Sequence, residues 1–464
     1  MREETAEGGE VVRHLLMIGG AREVPRNCLQ AAPGLRITVI CRREVEGKVW
    51  DRENLHRLLI LDRGASREEW LGIVRAVHEH DRIDAIVNFT ESDADRTGYL
   101  AEQLGLRCYS ERTAHWVTDK HLMRARLVET GVDDTPATKV FGADELAKAA
   151  GNLGYPVICK PAGGIGSLGI SKLTSPADVS KAFTWSTEGT EGLDADELIV
   201  EPFHQGREFS VECISEAGRH FVAGITQKST DQESFVEVGH LVPAPLPEAE
   251  EAAVADTVRR MLDTLEVRDG ATHTEVILTG NAVRIIETHL RYGGDRIPNM
   301  LAAATGIDIQ KLWARQAVGH SITAEAEEAM RRHRSGEHAE FAAIQYRCAD
   351  RKGVFAAVHG IEDARGMPGV AEVATVAGVG QRIGDLTGSL ARLAFAWALG
   401  ATPEEAAERA RAAVDSLTFD LDDEPLDVDD EPFHLDDEPL DVDDEPFHLD
   451  DEPLDRDDEP GRRP

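Results

Sequence analysis

The sequence predicts a protein of α/β and α+β class with a parallel-sheet domain at its N-terminal end. Its 464 residues suffice for two or three packed domains. In the first 113 residues, apolar runs alternate with helical patterns, which is typical of a parallel sheet covered by helices. Strand-rich stretches with glycine turns follow, and an acidic repeat ends the sequence. We therefore expect four segments, at residues 1–113, 114–205, 206–418 and 419–464.

The N-terminal segment carries three apolar runs that predict buried strands, at residues 14–20, 36–43 and 83–91. Between the last two, "SREEWLGIVRAVHEHD" predicts a helix, because Ser66 and Glu69 have the spacing of a capping box. Ligands of parallel sheets bind at the carboxyl ends of the strands. Glu91 lies at such an end and is therefore a candidate substrate residue.

Composition argues against several classes of protein. Hydrophobic residues make up 41% of the chain, yet no apolar run has the length of a membrane span, and the N-terminus lacks the pattern of a secretory signal. We therefore expect a cytoplasmic protein with no membrane partner. None of the six cysteines forms a CxxC pair, so zinc ribbons are unsupported. The net charge is −36, and the acidic body argues against nucleic-acid binding.

Residues 419–464 predict a disordered acidic tail. From Asp420 onward there are 22 acidic residues and three arginines, and the motif DDEP occurs six times at seven-residue spacing. Because every copy contains a proline, a coiled coil is excluded. The tail is an expanded repeat with little function, a solubilising or protein-binding arm, or a target of self-modification. The absence of Ser, Thr and Lys after Asp420 argues against cross-linking within the tail.

A glycine-rich turn follows a predicted strand in "VICKPAGGIGSLGI". Glycines let backbone N–H groups approach phosphate oxygens, and Lys160 at the base of the turn adds a positive charge. The lysine precedes the glycines, and a strand follows them, so the motif is neither a Walker A loop nor a dinucleotide fingerprint. A glycine-rich hairpin with a surface lysine remains the alternative.

Two carboxylates flank the next strand connection, in "ELIVEPFHQGREFSVEC". Glu201 ends an apolar strand, and Glu208 lies in the strand that follows. Carboxylates in these positions can accept hydrogen bonds from ribose hydroxyls, and the backbone between them can bind an adenine edge. Solvated strand ends are the alternative.

The strongest pattern is a predicted hairpin, "THTEVILTGNAVRIIETHLR". Its turn contains Gly280 and Asn281, and counting outward from the turn places Glu275 and Glu287 on one face. His289, two residues beyond Glu287, points the same way. Two carboxylates with a third ligand suit Mg²⁺, which prefers oxygen ligands. A charged hairpin face is the alternative.

In the last folded segment, we expect short strands around residues 353–380. Two closing helices are predicted at residues 389–400 and 402–417.

These motifs, in this order, resemble the ATP-grasp superfamily, in the branch of carboxylate–amine ligases that includes L-amino-acid ligases. The matching pieces are "TDKHLMRARL", "VICKPAGGIGSLGI", "EPFHQGREFSVE", "HTEV" and "IIETHLRYGGDRI", and the resemblance extends over about the first 417 residues. It implies an ATP-grasp fold with an N-terminal parallel-sheet domain, a glycine-rich lid and a C-terminal α+β domain. It also implies ATP and Mg²⁺ (or Mn²⁺) as cofactors.

The resemblance implies a role for each matching residue. Lys120 and Lys160 would contact the ATP phosphates, with Lys160 also in catalysis, Glu201 and Phe203 would meet the adenine, and Glu208 the ribose. The lid over the phosphates would contain Gly163, Gly164, Gly166, Ser167 and Gly169.

Glu275 and Glu287 would hold the metal, and Arg291 would contact the transferred phosphate and the acyl intermediate. The family usually has Asn at the position of His289, so the third metal ligand is the point of departure.

The implied reaction is formation of an amide bond between a small-molecule carboxylate and an amine, through an acyl phosphate. Lys228, Glu237, His240 and Arg296 are candidates for the substrate pocket, with ordinary surface or packing roles as the alternative for Lys228 and His240. Other readings are an enzyme that phosphorylates bicarbonate or formate, and a non-catalytic ATP-binding regulator. Family members are often homodimers, and the acids and amines are not readable from the sequence.

Overall fold

The N-terminal domain contains the predicted parallel sheet. The computed structural model describes residues 12–20, 22–163, 169–188, 197–231, 235–280, 282–338, 340–383 and 391–422. The strands of the first domain are His14–Ile18 (β1), Arg36–Arg42 (β2), Arg57–Leu61 (β3) and Ala85–Asn88 (β4). They are parallel, in the order β3-β2-β1-β4. The three predicted strands are therefore confirmed, and β3 is a fourth strand that was not predicted.

Helices cover this sheet and lead out of it. They are Val24–Ala31 (α1), Arg67–His80 (α2), Ala94–Leu104 (α3), Glu111–Thr118 (α4) and Lys120–Thr130 (α5). The capping box predicted for α2 is present, because Ser66 and Glu69 each bond the other's backbone N–H. The side chain of Asp119 caps α5, which places Lys120 on its first turn.

A small antiparallel sheet with two helices forms the lid subdomain. Its strands are Thr138–Val140 (β5), Val157–Pro161 (β6), Ser171–Leu173 (β7) and Leu198–Pro202 (β8), in the order β5-β8-β6-β7. Its helices are Ala143–Leu153 (α6) and Val179–Glu188 (α7). The strand predicted after the glycine-rich turn is β7, which pairs with β6. Gly164, Gly166 and Ser167 lie outside the described residues.

An eight-stranded antiparallel sheet forms the centre of the C-terminal region. Its strands are Arg207–Glu216 (β9), Arg219–Thr230 (β10), Glu237–Val242 (β11), Gly270–Thr279 (β12), Ala282–His289 (β13), Phe341–Cys348 (β14), Val370–Thr375 (β16) and Arg392–Gly400 (β18). They follow the order β13-β12-β9-β10-β11-β14-β18-β16. A second sheet, in the order β17-β15-β19, contains Gly353–His359 (β15), Arg382–Ile383 (β17) and Thr418–Asp422 (β19).

Helices pack against the central sheet. They are Glu248–Thr264 (α8), Ile297–Thr305 (α9), Ile309–Ala317 (α10), Thr323–Arg334 (α11), Ile361–Arg365 (α12) and Pro403–Asp415 (α13). Successive side chains of a strand point to opposite faces. On β9, Phe209 and Val211 therefore join the apolar core with residues of α5 and α8, while Glu208 and Glu212 point to the other face. None of the helices in the described residues is both long and apolar enough to span a membrane.

Two features of the C-terminal segment differ from expectation. Residues 389–400 were predicted to be a helix, but Arg392–Gly400 is the strand β18. Its apolar run is buried on both faces, and such a run lacks the alternation of polar and apolar residues that would distinguish a strand from a helix. Phe395 and Trp397 pack into the main core, whereas Ala396 and Ala398 fit closely beneath α13.

The second difference concerns the start of the acidic tail. Residues of β19 up to Asp422 pair with β15, so the segment predicted at 419–464 begins inside a strand. The tail beyond Asp422 lies outside the described residues.

Candidate active site

Glu275 and Glu287 face each other across the hairpin of β12 and β13. They are direct partners in the antiparallel ladder, as are His273 and His289 two residues further along. Opposite residues in such a ladder point to the same face. The predicted placement of both carboxylates and His289 on one face is therefore confirmed, and His289 Nε2 lies 3.2 Å from Glu287 Oε1.

The polar face continues across the neighbouring strands. Glu275 pairs with Ser210 on β9, and Ser210 pairs with Thr226 on β10. Lys228 lies two residues beyond Thr226, on the same face, and pairs with His240 on β11. The ladder thus connects the candidate metal ligands to the candidate substrate residues through one continuous surface.

Helix α5 carries two cations into this surface. Lys120 and Arg124 are one helical turn apart and therefore share a face. Lys120 Nζ lies 3.0 Å from Glu287 Oε2, and Arg124 donates to the carbonyl of Ile286 at 2.9 Å. Burial favours the neutral amine of Lys120, but Glu287 and Glu91 outweigh it and raise the pKa of that amine.

Glu201 joins the lid to α5 through a buried ion triplet. Its two carboxylate oxygens lie 2.9 Å from Lys160 Nζ and 2.9 Å from Arg124. Burial opposes ionisation of Glu201, but the charges of Arg124 and Lys160 outweigh that cost and hold its pKa at about 2. Glu201 is therefore ionised at neutral pH and fixes both cations in place.

Two further candidate nucleotide residues, Phe203 and Glu208, lie near the two ends of the connection between β8 and β9. The backbone N–H of Phe203 donates to the carbonyl of Pro156 at 3.0 Å, and Lys172 Nζ lies 3.8 Å from the centre of the Phe203 ring. Glu208 accepts a hydrogen bond from Thr230 at 2.8 Å, and burial raises the pKa of the Glu208 carboxyl.

The described ends of the glycine-rich turn are tied to the rest of the site. Lys120 N donates to the carbonyl of Ala162, next to Gly163, at 3.3 Å. At the other end, Ser186 donates to the carbonyl of Gly169 at 2.6 Å, and Gly169 has a φ of +71° that favours glycine. Both described ends of the turn are therefore held in place by hydrogen bonds, one of them from Lys120.

Glu91 reaches the hairpin from the N-terminal domain. One of its oxygens lies 3.3 Å from His289 Nδ1, and the other accepts from Arg291 at 3.0 Å. Arg291 also donates to the carbonyl of Tyr292 at 2.9 Å. Because Glu91 follows β4, the carboxyl end of the parallel sheet does meet the candidate site, as the sequence predicts.

Lys228 connects the hairpin to the substrate side of the surface. It forms ion pairs with Glu237 and, at 2.7 Å, with Glu275. Burial favours the neutral amine of Lys228, but these two carboxylates raise its pKa well above the usual value. The side chain of Lys228 is 4% exposed, so Glu237 and Glu275 rather than water balance its charge.

A second group of charges surrounds Asp295. Its carboxylate lies 3.0 Å from His240 Nε2 and 3.0 Å from Arg392 Nη1, and Arg392 stacks on the ring of Tyr346 at 4.0 Å. Arg296 points away to Glu372, at 2.7 Å. Asp295 and Arg296 both have positive φ, at 54° and 59°, which favours glycine.

Two donor sets are candidates for a metal ion. Glu275, Glu287 and His289 offer carboxylate oxygens and one imidazole nitrogen. The oxygens suit a hard divalent cation such as Mg²⁺, and the nitrogen suits an ion that also accepts imidazole. Glu237, His240 and Asp295 place ligand atoms within 4.8 Å of one another. Cations contact the carboxylates of both sets, because Lys120 and Lys228 pair with Glu287 and Glu275, and Lys228 and Arg392 pair with Glu237 and Asp295.

Some residues of the site were not predicted from the sequence. They are Arg124, Glu212, His273, Asp295, Glu372 and Arg392. His273 donates to Glu212 at 2.5 Å, and Glu212 accepts from the backbone of Gly293 at 2.8 Å. Despite burial, Glu212 raises the pKa of His273 to about 9. The alternation of β9 and β12 would have placed both on the polar face.

Matches to known proteins agree with the predicted family. Residues 153–299 match the family model of the ATP-grasp domain, and residues 345–422 match that of the L-amino acid ligase C-terminal domain 2. The alanine–anticapsin ligase of Bacillus subtilis (strain 168) is 26% identical over 272 residues, which are 54% of this chain and 57% of that protein. The match thus spans little more than half of that relative.

Two solved structures share the fold. The crystal structure of the L-amino acid ligase from Bacillus licheniformis has a TM-score of 0.75 and 20% identity, covering 89% of this chain and 100% of that one. The biotin carboxylase domain of Hydrogenobacter thermophilus 2-oxoglutarate carboxylase, in complex with MgADP and bicarbonate, has a TM-score of 0.62 and 15% identity, covering 89% and 91%. The predicted ATP-grasp fold is confirmed.

Proposed function

Because the chain contains an ATP-grasp domain and an L-amino acid ligase C-terminal domain, we propose that it is an ATP-dependent carboxylate–amine ligase. It joins amino acids, or an amino acid and a small metabolite, through an acyl phosphate. The observation that carries this proposal is the Glu275–Glu287 pair, with Lys120, Lys228 and Arg291 arranged around it.

The hairpin supplies the metal site. Glu275, Glu287 and His289 would hold Mg²⁺ or Mn²⁺, which neutralises phosphate charge during phosphoryl transfer. Lys120 and Lys228 neutralise the two carboxylates in this structure. With a divalent ion bound to the two carboxylates, Lys120 and Lys228 would contribute their charge to binding of the phosphate oxygens.

The triplet around Glu201 prepares the nucleotide site. Lys160 and Lys120 bind ATP phosphates, and the segment Glu201–Phe203 meets the adenine. Glu208 accepts from a ribose hydroxyl; the raised pKa of this carboxyl follows from its burial. The buried pairing of Glu201 with Lys160 and Arg124 supports this assignment, because it fixes Lys160 before any ligand binds.

The reaction has two steps. A substrate carboxylate oxygen attacks the γ-phosphorus, the bond from phosphorus to the β–γ bridging oxygen breaks, and ADP leaves. The amine nitrogen then attacks the acyl carbon, inorganic phosphate leaves with the C–O bond electrons, and the nitrogen loses a proton. Arg291 stabilises charge on the transferred phosphoryl group, and exclusion of water protects the acyl phosphate.

The substrate pocket extends from the hairpin toward Asp295. Lys228, Glu237 and His240 share the polar face with the metal ligands, and Arg296 lies beyond the "GGD" turn. We assign Lys228, Glu237 and His240 to binding of the carboxylate and amine substrates, whereas Arg296 is paired with Glu372, away from this group.

The test is ADP release over a matrix of carboxylates and amines, with mass detection of the product. A ligase turns over ATP repeatedly only when a productive pair is present, and the product mass equals the two substrates less water. Bicarbonate-dependent ADP release without an amine would indicate a carboxylase-type enzyme. ATP binding without turnover over the whole matrix would favour a regulator.

A further inference from the structure

A cavity lies between the N-terminal domain and the central sheet, behind the candidate active site. Its volume is about 120 Å³, and it is bordered by β4, by the start of β12 and by α10. Tyr109, Leu290, Trp313, Val87 and Ala271 form its apolar walls. A cavity of about 150 Å³ with such walls holds benzene, so this space is of the size of a small aromatic ring.

The charged residues that line the cavity are Asp84, Arg107 and Asp269, and Asp84 accepts from the backbone N–H groups of Arg13 and His14. Burial raises the pKa of Cys108 to about 12 and that of Tyr109 well above its usual value, so both are neutral at physiological pH. Arg107 and Asp269 form an ion pair of 2.7 Å at the border, with 56% and 27% of their side chains exposed. This pair marks the side that faces solvent.

One hydrogen-bond donor faces the space. Trp313 is 5% exposed and lines the cavity, and within the part of the chain that the structure describes its Nε1 makes no hydrogen bond to the protein. A Cβ built on Gly270, which also lines the cavity, would lie 3.5 Å from this nitrogen. The donor is therefore available to a ligand that carries one acceptor.

Two walls of the cavity lead to Glu91. Leu290 separates His289 from Arg291, and both of these contact Glu91. On the other wall, Tyr109 accepts from Asn88 at 3.2 Å, and Asn88 binds the backbone of Thr90, the residue before Glu91. A molecule bound in the cavity would contact both walls and would restrict the movement of Glu91.

We infer that this cavity is a binding site for a small neutral aromatic molecule with one hydrogen-bond acceptor, and that its occupancy is coupled to the active site. Binding itself does not depend on the proposed function; only the coupling rests on it. Since coupling between two sites is reciprocal, nucleotide and aromatic ligand change each other's affinity by the same factor.

The test is calorimetric titration of the full chain with phenol, and with benzene as the ligand that lacks an acceptor. Phenol should bind, and Trp313→Phe should weaken it by about three- to tenfold, the worth of one hydrogen bond, while leaving benzene unchanged. Trp70→Phe is the matched control, because Trp70 is also buried with an unpaired Nε1 but does not line the cavity. Ala317→Leu should fill the space and abolish binding of both ligands.

Several results would overturn the inference. No phenol binding to the folded chain overturns the site, and so does phenol binding that Ala317→Leu and Trp313→Phe both leave intact. Circular dichroism confirms that each variant is folded; if Ala317→Leu is not, Trp313→Phe decides. An MgATP affinity that saturating phenol leaves unchanged overturns the coupling. Phenol binding in a chain that binds no MgATP would count against the proposed function alone.

Discussion

Glu275 lies directly opposite Glu287 in the β12–β13 ladder, with both carboxylates on the polar face of the sheet. Two like charges so placed repel each other, and burial adds to the cost of ionising them. Lys228 and Lys120 nevertheless lower the pKa of Glu275 and of Glu287 below the usual value. The site thus keeps two anions ready for a divalent cation at neutral pH.

We predict that Glu287→Gln lowers ligase turnover by at least about 100-fold, because it removes a proposed metal ligand and the ion pair between Glu287 and Lys120. Calorimetry should show weaker Mg²⁺ binding in the presence of a non-hydrolysable ATP analogue. Glu251→Gln, on the exposed side of α8, is the control and should leave both measurements unchanged. Normal Mg²⁺ affinity in Glu287→Gln would contradict the assignment.

The hairpin shows what the sequence can predict. Its turn residues and the two-residue period of its strands place Glu275, Glu287 and His289 on one face without any knowledge of the rest of the chain. Arg124 could not be found in this way, because its partner Glu201 belongs to the lid and lies 77 residues away. Strand β18 was missed because its alternation is between large and small apolar residues, which polarity does not reveal.

His289 allows a second prediction, on the identity of the metal ligand. Its Nε2 lies 3.2 Å from Glu287 Oε1, which suits two ligands of one ion. We expect nitrogen coupling in the pulsed EPR spectrum of bound Mn²⁺, and we expect His289→Asn to abolish it. If the position is only a ligand slot, His289→Asn should keep Mg²⁺-dependent activity within about tenfold of the parent. Loss of activity with normal ATP binding would indicate a substrate role for His289.

The triplet of Lys160, Glu201 and Arg124 predicts a pH dependence of stability. The pKa of Glu201 is about 2 in the folded chain, below its usual value near 4.5, so its contribution is complete above pH 4.5 and is lost as the pH falls toward 2. Glu201→Gln should lower the free energy of unfolding by about 3 kcal/mol at pH 7. The difference from the parent should shrink as the solution is acidified.

Chemical denaturation at several pH values checks this prediction. Glu197→Gln is the matched control, because Glu197 pairs with Lys139 at the surface and is 45% exposed. The loss of such a pair costs less than about 1 kcal/mol. A pH-independent difference between the parent and Glu201→Gln would contradict the triplet.

The last strand sets where the chain can be shortened. Truncation after Asp422 removes the DDEP repeats and should leave ligase activity and melting temperature unchanged. Truncation after Leu417 also removes β19, which pairs with β15 and places the Phe419 ring 6.4 Å from that of Phe355 in a tilted arrangement. That second variant should melt at a lower temperature, because β15 loses its hydrogen-bonded neighbour and Phe355 loses its apolar contact with Phe419. A comparison of the two truncations by calorimetry and ADP release separates the strand from the repeats. Loss of activity in the chain that ends at Asp422 would instead show that the acidic repeats take part in function.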